Sequence, residues 1–388
     1  MRVLIAHNYY QQAGGEDAVM AEEHALLARN GIEVALYTMH NDSINTMSPL
    51  RVAANTLWSR HTIAAMSEQI DAFKPDVIHS HNTFPLISPS LYYAAARHGV
   101  PVVQTLHNFR LFCAQATFMR DGNICEDCLG KLPWRGVARS CYRDSRAQTA
   151  VVVGMQGLHR WLGTYQNHVT RYIALNKFCH DKFVEAGLPR ARISIKPNFV
   201  DMPAPEPSHQ PRAGGLFVGR LSAEKGIATL AQAATLSPLT SVTVIGSGTE
   251  QPALEHIANV QLRGWQAPAA IYAAMRRAAY LVMPSIWYEN FPRTLVEAFA
   301  SGLPVIASRL GAMAELVRNG ETGLLFDPGN AADLAHKMQW ADSHPEAMLR
   351  MGEDARSEYE NKYTPETNFR QLMAIYNEAI DSRQTAAA

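Results

Sequence analysis

The sequence predicts an α/β protein of two doubly wound, Rossmann-like domains facing across a cleft, and three observations point to it. The chain has 388 residues, beyond the size at which one hydrophobic core normally stops growing. Short β-branched runs alternate with helical patterns in both halves, and a Pro-rich stretch between the halves interrupts that alternation.

In the first half the runs are Val3 to His7, Glu33 to Thr38, Asp76 to Ser80, Val102 to Leu106 and Arg171 to Leu175. They are nearly continuous in apolar residues, as parallel strands covered by helices on both faces are, and the intervals between them suit right-handed crossovers. From Asp201 to Gly215 the chain carries Pro203, Pro205, Pro207 and Pro211, the composition of a semi-rigid linker. Beyond it, Leu216 to Gly219, Ser241 to Ile245, Ala279 to Pro284, Pro304 to Ala307 and Gly323 to Phe326 restart the pattern. The expected organisation is therefore a first domain over 1–200 with an insertion at about 108–146, a linker over 201–215 and a second domain over 216–365. A C-terminal helix packing back on the first domain, and a tail, take 366–388. Ligands of such sheets bind outside the carboxyl ends of the strands, so the site is sought in the loops that follow them.

Composition narrows the function. With 47% apolar and 18% charged residues the chain is an ordinary globular protein. Thirty-five basic residues balance thirty-five acidic ones, so its overall field gives no reason to expect nucleic acid. The apolar run Val3 to Ala6 is too short for a secretory segment, and no stretch approaches the roughly 20 apolar residues of a membrane span. A cytoplasmic protein is expected, with any membrane contact peripheral, at the inner face of the cytoplasmic membrane.

Two motifs of the second half carry chemistry. Gly219-Arg220-Leu221-Ser222-Ala223-Glu224-Lys225-Gly226 follows its first strand and leads into a helix starting near Gly226. An Arg fork and a Lys point charge are a metal-free way to stabilise a diphosphate leaving group; the plain alternative is surface pairing with Glu224. The second motif, Glu289-Asn290-Phe291-Pro292-Arg293-Thr294-Leu295-Val296-Glu297, comes after the strand ending at Met283. Pro292 suits a first helical turn, so a helix is expected to start there with free N–H groups near Arg293 and Thr294. Glu289 would lie in the loop and Glu297 inside the helix, as ligands of sugar and ribose hydroxyls or as a helix-dipole partner and a solvated face residue. Arg293 serves a diphosphate or pairs with Glu297 four residues on.

Through these motifs, continued by Ala298-Phe299-Ala300-x-Gly302-x-Pro304-Val305, the chain resembles the retaining family-4 glycosyltransferases of the GT-B fold, of the kind that serve bacterial polysaccharide biosynthesis. Gly14-Gly15, Pro75-Asp76-Val77-Ile78-His79 and Thr105-Leu106-His107 extend the resemblance more loosely into the first half. The resemblance implies that Arg220 and Lys225 hold the pyrophosphate, Glu289 the donor sugar and Glu297 the ribose. It also brings the Gly14-Gly15 loop close to the donor phosphate and sugar, and His107 near the donor sugar. Gly14-Gly15 read alone is a tight turn, and His107 a capping histidine as readily as a catalytic one. Where many members have Glu-Gly-Phe-Gly-Leu, this chain has Glu289-Asn290-Phe291-Pro292-Arg293, replacing a flexible Gly and one backbone donor.

Four of the five cysteines, Cys113, Cys125, Cys128 and Cys141, fall in the segment Asn108 to Arg146. Cys125 and Cys128 have metal-knuckle spacing, so a structural zinc is weighed against buried thiols or a redox pair; Cys179 is expected to be packed. The same segment holds Lys131, Trp134, Arg135, Arg139, Tyr142, Arg143 and Arg146, a solvated basic face or a contact for an anionic membrane.

These readings combine into a GT-B hexosyltransferase acting with retention. It would use a UDP- or GDP-hexose bound by the second domain, a glycan or lipid-linked glycan acceptor bound by the first, and no catalytic metal. The rivals are a non-catalytic two-lobed sugar-binding protein and a GT-B epimerase or phosphorylase.

Overall fold

The computed structural model describes residues 1–12, 14–202 and 211–387, the last four of these by backbone alone. Pro203, Pro205 and Pro207 of the expected linker lie outside the described residues. The chain divides into two compact units: Met1–Phe118 with Cys125–Pro197 and Asn368–Ala388, and Asn198–Thr367 with Met119–Ile124.

The sheet of the first unit contains β1 (Arg2–Tyr9), β2 (Glu33–His40), β3 (Val77–Asn82) and β4 (Val102–Thr105). A two-stranded antiparallel hairpin follows, β5 (Met119–Arg120) with β6 (Asn123–Ile124), and then β7 (Arg171–Ala174) and β8 (Ile193–Ile195) complete the sheet. Its order is β2-β1-β3-β4-β7-β8, with every pairing parallel. Val3 to Ala6 are fully buried, which explains why β1 reads as a continuous apolar run, whereas the edge strand β2 keeps exposed positions along its length. The register between β1 and β3 shifts between Ala6 and His7, an irregularity at the carboxyl end of the sheet, where such kinks re-aim side chains.

The C-terminal helix, Pro365–Ala387, completes this unit from Asn368 onward. Its Leu372, Ile375, Tyr376 and Ala379 join Val3, Ile5, Met20, Leu27, Val77, Val103 and Ile173 in one core. Spacing of three and four residues puts those four on one stripe of the helix.

In the second unit β9 (Gly215–Val218), β10 (Val242–Ile245), β11 (Val260–Leu262), β12 (Tyr280–Met283), β13 (Val305–Ser308) and β14 (Gly323–Phe326) form another parallel sheet, ordered β11-β10-β9-β12-β13-β14. Successive strand residues point to opposite faces, and the core divides accordingly. Leu216, Leu281, Met283, Val305 and Ala307 pack in one cluster, while Phe217, Tyr280, Val282 and Ile306 pack in the other. Both faces are apolar because helices cover both, the condition for an all-parallel sheet.

The strands read from the sequence all occur, with ends displaced by at most two residues. Unread were β8 and β11, each three residues long, and the hairpin β5–β6. The helix expected at Gly226 begins at Ile227 after a single 3-10 turn, Ala223–Lys225. The helix expected to start with Pro292 begins at Arg293, with Pro292 just outside it as an extended N-cap.

Candidate functional site

In the second unit the loops after β9 and β12 are joined through Gly226. Its φ is +72°, and a Cβ there would stand 1.9 Å from the Pro284 carbonyl oxygen, so only glycine lets the two loops close up. Beside it the Ile286 N–H donates to the Glu224 carbonyl at 3.0 Å. This junction brings Lys225 to Glu289, residues 64 apart in the chain, with Nζ 2.7 Å from Oε1. The Ser285 hydroxyl donates to the same oxygen at 2.8 Å, and the Lys225 ammonium stands 5.4 Å from the centre of the Trp287 ring.

Burial would raise the Glu289 carboxyl, but the Lys225 charge and the hydrogen bonds it receives outweigh this and hold it below the ordinary carboxylate value. Glu289 is thus an ionised acceptor at neutral pH, not a proton donor. Lys225 keeps 22% of its side chain exposed, within reach of a ligand.

The two cations of the first motif have separate partners. Arg220 is 71% exposed and lies 3.3 Å from Glu224, whose Oε1 also accepts from the Ser222 hydroxyl. The plain alternative therefore describes Arg220, whereas Lys225 turns to Glu289. Arg293 donates through Nε to Glu297 at 3.0 Å, the pairing their four-residue spacing allowed. Phe291 packs edge-on to Tyr363 at the margin of the core, so its side chain anchors the loop. Asn290 and Thr294 are half-buried beside it.

The sequence reading missed Gly246-Ser247-Gly248 after β10. A Cβ on Gly246 would meet the Gly219 carbonyl oxygen at 1.9 Å, and the Leu221 N–H donates to the Ser247 carbonyl at 2.9 Å. This segment braces the Arg220 loop, and its Gly-x-Gly pattern after a strand was the available signal.

In the first unit Gly14 is the N-cap of the helix Gly15–Arg29. Asp17 accepts the Gly14 N–H at 2.9 Å on one oxygen and lies 2.7 Å from His7 Nε2 on the other, tying the glycine turn to the end of β1. Glu16, next to it, accepts from Tyr10 at 2.9 Å and from Asn108 at 2.6 Å. Burial raises its carboxyl, against the lowering effect of those two bonds.

His107 is buried, with Nε2 3.0 Å from His81 Nδ1 and the two rings stacked. His79 and His81 share one face of β3 by alternation, and Glu23 lies 3.7 Å from His79 and 3.4 Å from His81. Lys196 completes the group, bonded to Glu23 and Asn368, with Lys196 and Glu23 both fully buried. Burial lowers His79 to about 4, and lowers His81 and His107 well below the ordinary histidine value, so these rings are neutral. Sequence reasoning found only His107; the His-x-His spacing in β3 was a signal, while Glu23 and Lys196 gave none. Glu23, His79 and His81 form the one set of three metal-ligating atoms mutually within 4.8 Å among the described residues. The Lys196 ammonium already supplies its cation, and both nitrogens of His79 are engaged, by Tyr376 and Thr105.

None of the four insertion cysteines forms a disulfide among the described residues. Burial, with Cys113, Cys141 and Cys125 around it, pushes the Cys128 thiol up to about 11. Cys113, Cys141 and Cys125 act together on Cys128, but no three of these sulfurs form a set of ligating atoms mutually within 4.8 Å among the described residues. Cys179 is fully buried.

Comparison with known proteins decides the family. The profile described as Glycosyltransferase Family 4 matches residues 13–202, and that described as Glycosyl transferases group 1 matches residues 206–358. The chain belongs to the group 1 and family 4 glycosyltransferases. A glycogen synthase of Mycobacterium tuberculosis is 28% identical over 301 residues, 74% of this chain and 64% of that protein, so the match spans less than two thirds of its length. The D-inositol 3-phosphate glycosyltransferase of Rhodococcus jostii is 24% identical over 90% of this chain and 81% of that protein. The crystal structure of Anabaena Alr3699/HepE in complex with UDP matches with a TM-score of 0.67 at 17% identity, covering 96% of this chain and 99% of that one. That likeness establishes the GT-B fold of two Rossmann-like domains for this glycosyltransferase.

Proposed function

We propose that this glycosyltransferase moves a hexosyl group from a UDP- or GDP-linked donor, with retention, to a glycan or lipid-linked glycan in cell-surface polysaccharide biosynthesis. The second unit would hold the donor and the first the acceptor. The observation that carries the reading is the Lys225–Glu289 pair, set after adjacent parallel strands where open α/β sheets take their ligands. The names of the relatives, and the UDP bound by the Anabaena protein, support it.

Lys225, with Arg220 swinging from its exposed position, stabilises the charge that grows on the leaving diphosphate. Glu289, ionised, accepts hydrogen bonds from the donor sugar and Glu297 from the ribose, while Asn290, Phe291, Arg293 and Thr294 line the approach to the diphosphate. Gly14, Gly15 and His107 keep the roles the resemblance implies, His107 as a neutral ring. In a front-face displacement the acceptor oxygen bonds to the anomeric carbon as the bond to phosphate breaks, and the acceptor proton passes to the departing phosphate oxygen.

The test is a thermal-shift screen of UDP, GDP and ADP and their hexoses, followed by assay of diphosphate release with and without an acceptor alcohol. A donor at about 100 times its Kd should stabilise the fold by about 2.7 kcal/mol, and release should require acceptor. Binding without release would favour the sugar-binding rival, release without acceptor the epimerase, and sugar 1-phosphate formed from a glycan and inorganic phosphate the phosphorylase. For the insertion we propose one structural zinc held by Cys113, Cys125, Cys128 and Cys141. Elemental analysis should find about one zinc per chain, and metal-free protein of undiminished stability would remove it.

A further inference from the structure

Among the described residues the large apolar side chains left in water include Leu132 at 62%, Trp134 at 63% and Trp161 at 81% exposure. Leu132 lies just before the N-cap of the short helix Trp134–Ala138 and Trp134 is its first residue; Trp161 ends the long helix Arg146–Trp161. Arg160, beside Trp161, ties the end of the long helix to the segment before Leu132: its guanidinium donates to the carbonyls of Lys131 and Gly130 at 3.0 and 3.1 Å. Gly136 seats the short helix against the long one, its Cα facing Thr149 and Val153, so the patch is held by packed elements.

Charge is segregated there. From Lys131 to Trp161 the chain has Lys131, Arg135, Arg139, Arg143, Arg146 and Arg160 against a single acid, Asp144, in a protein of zero net charge. Arg139 is engaged by Asp127. Lys131, Arg135, Arg143 and Arg146 are exposed, and Arg135 lies over the Trp134 ring at 5.8 Å. Exposed tryptophan and leucine interleaved with cations is the mixture that seats in the interfacial region of a bilayer, aromatic rings at headgroup level and cations on anionic lipids. No described helix is long and apolar enough to cross a membrane, so the contact would be peripheral.

We propose that Leu132, Trp134 and Trp161, ringed by Lys131, Arg135 and Arg160, dock the first unit on an anionic lipid surface. The inference stands on the surface itself and does not depend on which donor or acceptor the enzyme takes. A basic residue near an anionic leaflet strengthens binding about fivefold, an effect that fades as salt shortens the screening length.

The experiment is co-sedimentation of the full chain with phosphatidylcholine vesicles, with and without phosphatidylglycerol, at low and at physiological salt. Wild type should sediment with the anionic vesicles, less so as salt rises. The exposed double variant Lys131→Glu/Arg135→Glu should lose on the order of a hundredfold in partitioning. Trp134→Ala and Trp161→Ala should each lose about tenfold. Melting curves check that the variants are folded, and their turnover of soluble donor and acceptor should be unchanged, which separates this proposal from the donor-site reading. Wild type remaining in the supernatant, sedimenting equally with neutral vesicles, or partitioning as its variants do would overturn the proposal.

Discussion

The same chemical pair, a lysine on a glutamate, stands in opposite surroundings at two places, one in each unit. Lys196 and Glu23 are fully buried, and Lys196 also reaches Asn368 of the C-terminal helix. Lys225 and Glu289 lie between two loops, with the lysine partly exposed. A buried pair must compensate its own desolvation and leaves no charge for a ligand. A pair at a loop edge keeps a cation that an incoming anion can share. The first therefore belongs to architecture, and the second is the one proposed to serve the donor.

The largest expected effect sharpens the architectural half. Lys196→Ala should strand Glu23 as an uncompensated buried charge and cost about 3–5 kcal/mol, read from denaturant midpoints, whereas Lys196→Met with Glu23→Gln should recover most of it. A loss below about 1 kcal/mol for the single variant would remove Lys196 from that role.

Acid comes next. His79, near 4 in the folded protein because of burial, faces Glu23, Lys196, Tyr376, Thr105 and His81. Its value is 6.5 when unfolded, so between those values the unfolded chain binds the extra proton. Stability is full above pH 6.5 and falls as pH drops toward 4, by about 3 kcal/mol from His79 alone. Glu289 shifts the other way: its contribution is present above the ordinary value of 4.5 and is lost only at lower pH. Chemical denaturation across pH 4–7 that showed flat stability would mean the histidines are not held neutral.

Smaller still, Lys225→Ala should cost about 1–3 kcal/mol of folding stability, since it leaves the buried Glu289 carboxylate with the Ser285 hydroxyl but without its cation. Arg220→Ala should change it by less than that, because a pair with so exposed an arginine is screened. A melting loss in either as large as that of Lys196→Ala would erase the contrast between the two units.

What was legible in the sequence follows the range of the contacts. β1 and β13 announced themselves because both faces are buried and the runs are apolar throughout. Lys225 and Glu289 were legible as motif residues because each lies in a loop just after a strand. That Arg220 would settle on Glu224, while Lys225 crossed to Glu289, was not legible: spacing offers both carboxylates, and the choice is made by the Gly226–Pro284 approach. Glu23 and Lys196 are separated by 173 residues, and nothing local marks a glutamate in a helix as fully buried. β8 and β11 escaped because three residues are too few to show a period.

The central claim, that Lys225 holds a nucleotide diphosphate, is tested most directly by calorimetric titration of UDP and GDP into wild type and Lys225→Ala. A charge-assisted contact of about 1.5–3 kcal/mol should disappear, weakening affinity for the cognate nucleotide about ten- to hundredfold in a protein whose melting curve shows it still folded. Equal affinity in the folded variant would contradict the account.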